Sequence, residues 1–209
     1  MGQELVADGG FEGAVWGGCP NACTTSCGFS INPWTRIGGS IMTDLLLNNP
    51  PSQCTIPNNP AGGTYFVSLQ GSVCCGCNNN GGVRQAVATV QGETYTLSAD
   101  LYLDEWDAID VSCAGASIQF DASNTPTMQW TRVTWTFVAG AAADLSLNSV
   151  GIVDTPVFCI SADYCHIDNI SLVEFVPPPP APCPADLNAD GVVDAVDLAA
   201  LLGAWGECR

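Results

Sequence analysis

From Glu93 to Leu103 apolar and polar residues alternate strictly. Tyr95, Leu97, Ala99, Leu101 and Leu103 fall on one face, and Thr94, Thr96, Ser98, Asp100 and Tyr102 on the other. A period of two is the signature of a half-buried β-strand. Val83 to Val90 precedes it, with a hairpin-like break at Gln91-Gly92. Trp130 to Val138 repeats the pattern with Val133, Trp135 and Phe137 inward, which assigns Trp135 to the core. Residues 117–120, 144–147 and 167–175 are shorter candidates. Short strands separated by Gly, Asn and Pro predict an all-β sandwich or barrel. Residues 13–82, rich in Gly, Asn, Pro and Cys, hold few long strands, and much of the region reads as long loops held by disulfides.

Near the C-terminus the period changes. Leu198, Leu201, Leu202 and Trp205 recur at i, i+3, i+4 and i+7, one apolar stripe on a short helix beginning at Asp197. Between the two patterns lies Pro177-Pro178-Pro179-Pro180-Ala181-Pro182, a stiff extended spacer without ladder donors. The chain therefore divides into a body (1–176), a proline-rich linker (177–182) and a tail (183–209). A unit as short as the tail cannot bury its own stripe. The body, a partner or a second copy must cover it.

Composition narrows the function. Asp and Glu number 21 against 4 Lys plus Arg, giving a formal charge of −17. The four cations are Arg36, Arg84, Arg132 and Arg209, and there is no lysine. Nothing here could neutralise a run of phosphates, so nucleic acid is excluded as a partner, and so is an anionic membrane surface. No apolar run approaches the ~20 residues of a membrane helix. With His166 as the only histidine, most acid–base and nucleophilic constellations lack a partner, and the chain reads as no enzyme. A two-carboxylate glycosidase remains formally open, but this acidity pairs carboxylates everywhere by chance. His166 itself reads as a surface or hydrogen-bonded residue, not a ligand.

The 12 cysteines form an even, dense set, which reads as disulfides and hence export to an oxidising space. Zinc is the rival, and the spacing of Cys19, Cys23 and Cys27 matches it poorly. Cys159 with Cys165, and Cys183 with Cys208, are the two local pairs proposed; the remaining connectivity stays open. Met-Gly-Gln-Glu at the N-terminus is no signal peptide, so the expectation of a secreted, extracellular or cell-surface location rests on cysteine and calcium chemistry.

That calcium chemistry lies in the tail. Asp186, Asn188 and Asp190 stand at positions 1, 3 and 5 of a twelve-residue loop, with Gly191 at position 6 for the sharp turn. Val192 offers a main-chain carbonyl at position 7, Asp194 acts through water at 9, and Asp197 closes the cage at 12. The plainer alternative is a polar turn capping the helix. The tail resembles one half of a type I dockerin, with aspartate in the closing position. Cohesin-docking dockerins carry two such repeats, and Ala195 and Val196 replace the polar residues usual before the closing ligand. The resemblance thus implies a calcium-dependent association device and argues against a cohesin-like partner.

The body resembles the galactose-binding-like jelly rolls that include many carbohydrate-binding modules. The residues that carry the resemblance are Asp8-Gly9-Gly10-Phe11-Glu12, Pro33-Trp34, Gly63-Thr64-Tyr65, Gln85 with Val87, Gly92 to Leu97, and the closing Ile167-Asp168-Asn169-Ile170-Ser171-Leu172. It implies a non-catalytic jelly-roll β-sandwich of eight or nine strands and a structural calcium between the first and last strands, with Glu12 and Asp168 as ligands. Sugar rings stack on aromatics, for which Trp16, Trp34, Trp106, Trp130, Tyr65 and Tyr102 are candidates. Tyr102 and Asp100, sharing the polar face of the best strand, together with Trp34 and Trp106, form the expected ligand set. Two functions follow. One is a secreted module that binds polysaccharide or a surface glycan, with the tail as an anchor. The other is a structural subunit of a fibre or matrix, a homo-oligomer or filament joined through the tail or a strand edge.

Overall fold

The computed structural model describes residues 2–13, 31–38, 41–45, 61–70, 73–74, 77–78, 81–105, 107–151, 164–177 and 183–206. The chain divides into two compact units, Met1–Phe175 and Val176–Arg209.

Among the described residues the first unit is built from strands alone. They are β1 (Thr35–Gly38), β2 (Ile41–Leu45), β3 (Tyr65–Gln70), β4 (Val73–Cys74), β5 (Cys77–Asn78), β6 (Gly81–Ala86), β7 (Thr94–Tyr102), β8 (Asp107–Cys113), β9 (Ala116–Asp121), β10 (Thr131–Val138), β11 (Asp144–Gly151) and β12 (Tyr164–Glu174). The first sheet has the order β1-β6-β11-β8-β9 and the second β10-β7-β12-β3-β2, while β4 and β5 form a small ribbon. The pairings within both five-stranded sheets are antiparallel.

One apolar core joins the inner faces of the two sheets, a β-sandwich. Tyr95, Leu97, Ala99 and Leu101 of β7 enter it from the second sheet with Val67 and Leu69 of β3, Ile167 and Leu172 of β12, and Val133 and Phe137 of β10. Ile109 and Val111 of β8, Leu145 and Leu147 of β11, and Val83 of β6 enter it from the first. The alternation in β7 is thus the sandwich's own in–out pattern. Each fully buried Leu or Ile contributes on the order of 2 kcal/mol through removal from water. Trp135 is only partly buried, stacking on Phe137 at the margin of the core with ring centroids 4.4 Å apart.

Two expectations are corrected. The sandwich has ten strands in its two main sheets, not eight or nine. The stretch 13–82, read as loops, supplies β1, β2 and β3, and β3 lies inside the second sheet between β12 and β2. The signal failed in β3 because Phe66 faces away from the core yet is buried, so Tyr65-Phe66-Val67 shows no alternation.

The N-terminal segment runs beside β12. Leu5 N–H donates to Leu172 O at 2.9 Å, and Glu4 bridges to Val173. Inside the core edge, Ala7 N–H donates to Gln85 Oε1 at 2.7 Å while Gln85 Nε2 donates back to Ala7 O at 2.8 Å. This reciprocal pair satisfies a buried amide that would otherwise be costly.

The second unit contains α1 (Ala195–Gly203), with Asp194 as N-cap. The Asp194 carboxylate accepts the Val196 N–H, and the Asp197 carboxylate accepts the Asp194 N–H, a reciprocal capping box. The helix therefore starts two residues before Asp197, the residue expected to open it.

Candidate functional site

The chemistry-bearing residues of the body gather on the outer face of the second sheet, and strand register explains why. Asp100 of β7 lies opposite Arg132 of β10 on one side and Asp168 of β12 on the other. Tyr102, two residues on, lies opposite His166 of β12, which lies opposite Ser68 of β3. Residues two apart on a strand share a face. The sheet thus presents a charged row, Arg132-Asp100-Asp168, beside an aromatic row.

The aromatic row closes on itself. Phe66 meets Trp130 and His166 edge-on at 5.5 Å each, and Tyr102 meets the same two rings at 5.8 and 5.7 Å. Phe66, Ser68 and His166 are buried, with Ser68 Oγ and His166 Nδ1 2.7 Å apart. Tyr102 and Trp130 are half-buried, so this pair forms the accessible rim of the cluster. His166 is therefore a hydrogen-bonded residue in the floor beneath that rim.

In the charged row Arg132 Nη1 stands 3.4 Å from Asp100 Oδ2. Arg132 also donates to Asn169 O at 2.7 Å and to Ser98 Oγ at 2.6 Å. Asp168 is fully buried and accepts the Gly62 N–H at 2.9 Å and the Asn169 N–H at 2.7 Å. Burial first, and then the nearby Asp100 and Glu12 charges, push its carboxyl up to about 6 against the pull of those two amides. Glu12 Oε1 accepts the N–H groups of Thr64 and Tyr65 at 2.8 and 3.1 Å. Gly63 makes this approach possible. It adopts φ +60°, and a Cβ there would lie 2.1 Å from Glu12 Oε1.

The bend that assembles these groups is a bulge in β12 between Asp168 and Ser171, with Asn169 at φ +48°. Gly9 O accepts the Ile170 N–H freed there, at 2.9 Å. The Asp8–Glu12 segment and the 61–65 loop thereby meet the bulge, and both expected calcium ligands, Glu12 and Asp168, flank Gly10. The chemistry of the two carboxylates, one fully buried with the charges of Glu12 and Asp100 nearby, is the oxygen chemistry a hard cation takes. Among the described residues no three His, Cys, Asp or Glu side chains converge closely enough to hold a metal. A cation here would thus draw its remaining oxygens from main chain, amide side chains or water.

The tail loop shows a related arrangement. Asp186 accepts the Asp190 N–H at 3.1 Å and the Gly191 N–H at 2.8 Å, with Gly191 at φ +91° making the turn. Asn188 Oδ1 accepts the Asp190 N–H at 3.0 Å, and Asp190 Oδ1 the Val192 N–H at 2.9 Å. Asp197 is buried and gathers the Leu187, Asn188 and Asp194 N–H groups at 2.7, 3.2 and 2.8 Å. The Asp194 amide foremost, with the other two, holds its carboxyl below the usual aspartate range. The loop thus gathers oxygen groups held by the chain's own amides, and its carboxylates are among the described side chains of which no three converge as a metal site. The stripe that follows is exposed at Leu198, Leu201, Leu202 and Trp205, the last to 79%.

The other expected site residues fall elsewhere. Trp34 is corrected: it is buried against Phe11 at 5.4 Å, its indole N–H donates to Asp8 O at 2.9 Å, and it belongs to the core. Trp106 lies outside the described residues, as do Trp16, Cys159 and Cys208. Cys165 is buried, its Sγ 3.3 Å from Ala108 O. Cys183 is exposed with a free thiol, so the bond expected to Cys208 is not seen. Arg132 and Asn169 were missed as site residues, because their role comes from cross-strand register and a bulge rather than from any local motif.

No family model matches the chain, and no curated protein matches it. Solved structures do. TmCBM61 in complex with β-1,4-galactotriose is similar over 83% of this chain and 99% of that one, at 17% identity and a TM-score of 0.50. The CBM22-1–CBM22-2 tandem domain of Paenibacillus barcinonensis Xyn10C covers 87% of this chain and 48% of its own, at 13% identity and a TM-score of 0.43. At this identity the likeness to TmCBM61 shows the fold alone, a two-sheet β-sandwich.

Proposed function

We propose that the body is a non-catalytic, secreted carbohydrate-binding module whose glycan lies across the outer face of the second sheet. The observation that carries this reading is the half-buried Tyr102–Trp130 pair beside the Asp100–Arg132 pair on one face of the sheet. Aromatic rings supply the apolar stacking surface, and fixed polar groups on the same face select hydroxyls. The sandwich shared with a module solved on a β-linked galactotriose supports the same use of the fold. Glu12 and Asp168 hold a structural calcium beneath this face, and Asp186, Asn188, Asp190, Val192, Asp194 and Asp197 hold a second in the tail.

Native affinity electrophoresis in gels containing galactan, xylan or microbial glycans tests the reading. Retardation by at least one polymer, weakened by substitution of Tyr102 or Trp130, is expected. Unretarded migration through all of them refutes it. Calorimetric titration of the full chain with Ca²⁺, compared with an Asp186→Asn/Asp190→Asn variant, tests the tail loop. Loss of one binding event in the variant is expected, and identical heats refute the tail site.

The exposed stripe Leu198-Leu201-Leu202-Trp205 favours a second reading, a matrix subunit joined through the tail. Electron microscopy with and without chelator separates the two. Calcium-dependent fibres without glycan retention would establish the subunit and remove the module.

A further inference from the structure

Asn169 joins the two halves of the body site. Its main-chain N–H donates to Asp168 Oδ1 at 2.7 Å, and its side-chain Nδ2 donates to Asp100 Oδ2 at 2.8 Å. Its carbonyl accepts Arg132 Nη1 at 2.7 Å. All three bonds depend on the left-handed backbone at the β12 bulge, where φ is +48°. Asparagine tolerates that conformation better than most residues. The side chain is also confined from the other side, because a Cβ at Gly62 would lie 2.7 Å from Asn169 Nδ2.

We infer that Asn169 is a positioning residue that couples cation loading at Asp168 to the placement of Asp100 and Arg132 on the glycan-facing surface. This rests on the reading of the site given above. A cation drawn to the buried Asp168 carboxylate competes for the oxygen that accepts the Asn169 N–H. Any shift of the bulge is then passed through Nδ2 to Asp100 and through the carbonyl to Arg132. Arg132 has no independent seat, since its remaining described polar partner, Ser98 Oγ, belongs to the same face.

The test uses Asn169→Gly in the full chain, on a background of Asp186→Asn and Asp190→Asn that removes the tail carboxylates. Glycine adopts the left-handed φ freely, so the bulge, its N–H and its carbonyl are kept and the Nδ2 link alone is lost. The chain has only four arginines and no lysine, so the Arg132 Nε–H resonance is assigned by its disappearance in Arg132→Lys. Calcium chloride titrated into chelator-treated protein is expected to raise the melting temperature of both parent and variant. It is expected to move the Arg132 resonance in the parent and to move it less in the variant, which keeps the carbonyl bond to Nη1 but loses the Nδ2 link to Asp100. Equal movement in both chains overturns the coupling. So does a parent resonance that stays still while its melting temperature rises, and so does a melting temperature that ignores calcium.

Glycan retention is measured separately on the same proteins. Chelator is expected to weaken retention of the parent several-fold and that of the variant by less. Should no glycan retain the parent, the carbohydrate reading falls, while the Arg132 resonance still decides the coupling.

Discussion

Replacing Asp168 by Asn should reverse its effect on stability depending on calcium, and the size follows from the burial of the carboxylate. Burial, then Asp100 and Glu12, move the carboxyl from an ordinary 3.8 to about 6. At about 1.4 kcal/mol per tenfold change in proton affinity, the folded state binds this proton more tightly by about 3 kcal/mol. The sign follows from linkage. Between pH 3.8 and 6 the unfolded chain has released the proton and the folded chain still holds it, so stability falls as pH rises through that window. Above it the whole cost is present.

Asparagine is neutral throughout, so the stability difference, variant minus parent, should rise by about 2 kcal/mol between pH 4 and 7.5 in chelator, the remainder falling below pH 4. A constant offset of about 1–2 kcal/mol accompanies it, because an amide cannot accept the Gly62 and Asn169 N–H groups as a carboxylate does. In calcium the order inverts: at a hundredfold excess over Kd the parent gains about 2.7 kcal/mol that the variant lacks. Urea unfolding followed by tryptophan fluorescence, on the background lacking the tail carboxylates, measures each arm. Titrations of groups away from Asp168 cancel in the difference. A difference that stays flat across this pH range in chelator would rule out a raised Asp168 carboxyl.

Three further outcomes are expected. Tyr102→Ala and Trp130→Ala should each weaken glycan retention about tenfold, or about 1.4 kcal/mol, without lowering the urea midpoint as a core truncation would; unchanged retention in both would remove the rim from the site. Gly9→Ala should destabilise the body by at least about 2 kcal/mol, because the added Cβ would lie 1.8 Å from Ile170 O in the bulge; an unchanged thermal midpoint would contradict that packing. The Cys113 thiol, buried and pushed up to about 12 by that burial and then by Asp144, should resist maleimide at pH 8 while exposed Cys183 reacts, as read by peptide mass mapping; equal labelling rates would contradict the burial.

The parts of the fold legible from sequence were those in which local pattern and environment agree. β7 alternates because one face meets the core and the other does not, and β10 follows the same rule. β3 and β8 broke it. Phe66 and Ser68 in β3, and Ala108 in β8, are buried on the side away from the core, so period-two alternation is lost. The site divided in the same way. Tyr102 and Asp100 announced themselves by sharing a face on a readable strand. Trp34 misled, because a tryptophan's burial is set by partners such as Phe11, and no local pattern encodes them. Arg132 reaches Asp100 only through the β10–β7 register, and Asn169 acquires its role from a bulge; pairing across 30 or more residues leaves no trace in either segment.

The row Arg132-Asp100-Asp168 carries the strongest physical argument for a cation from solution. Like charges directly opposed across strands destabilise a sheet, and here β7 and β12 oppose two aspartates. Arg132 offsets part of this, but its side chain is 45% exposed, and an ion pair at 3.4 Å in that setting contributes at most about 1 kcal/mol. It also pairs with Asp100, not with Asp168, whose two described donors are both neutral amides. The other described arginines belong to different elements: Arg36 lies on β1 and Arg84 on β6, both in the first sheet. With no lysine anywhere in the chain, no described side-chain cation remains to compensate Asp168. A buried carboxylate maintained at this cost, beside Glu12 and beneath the face that carries Tyr102 and Trp130, is accounted for when a divalent ion from the medium supplies the charge that the sequence omits.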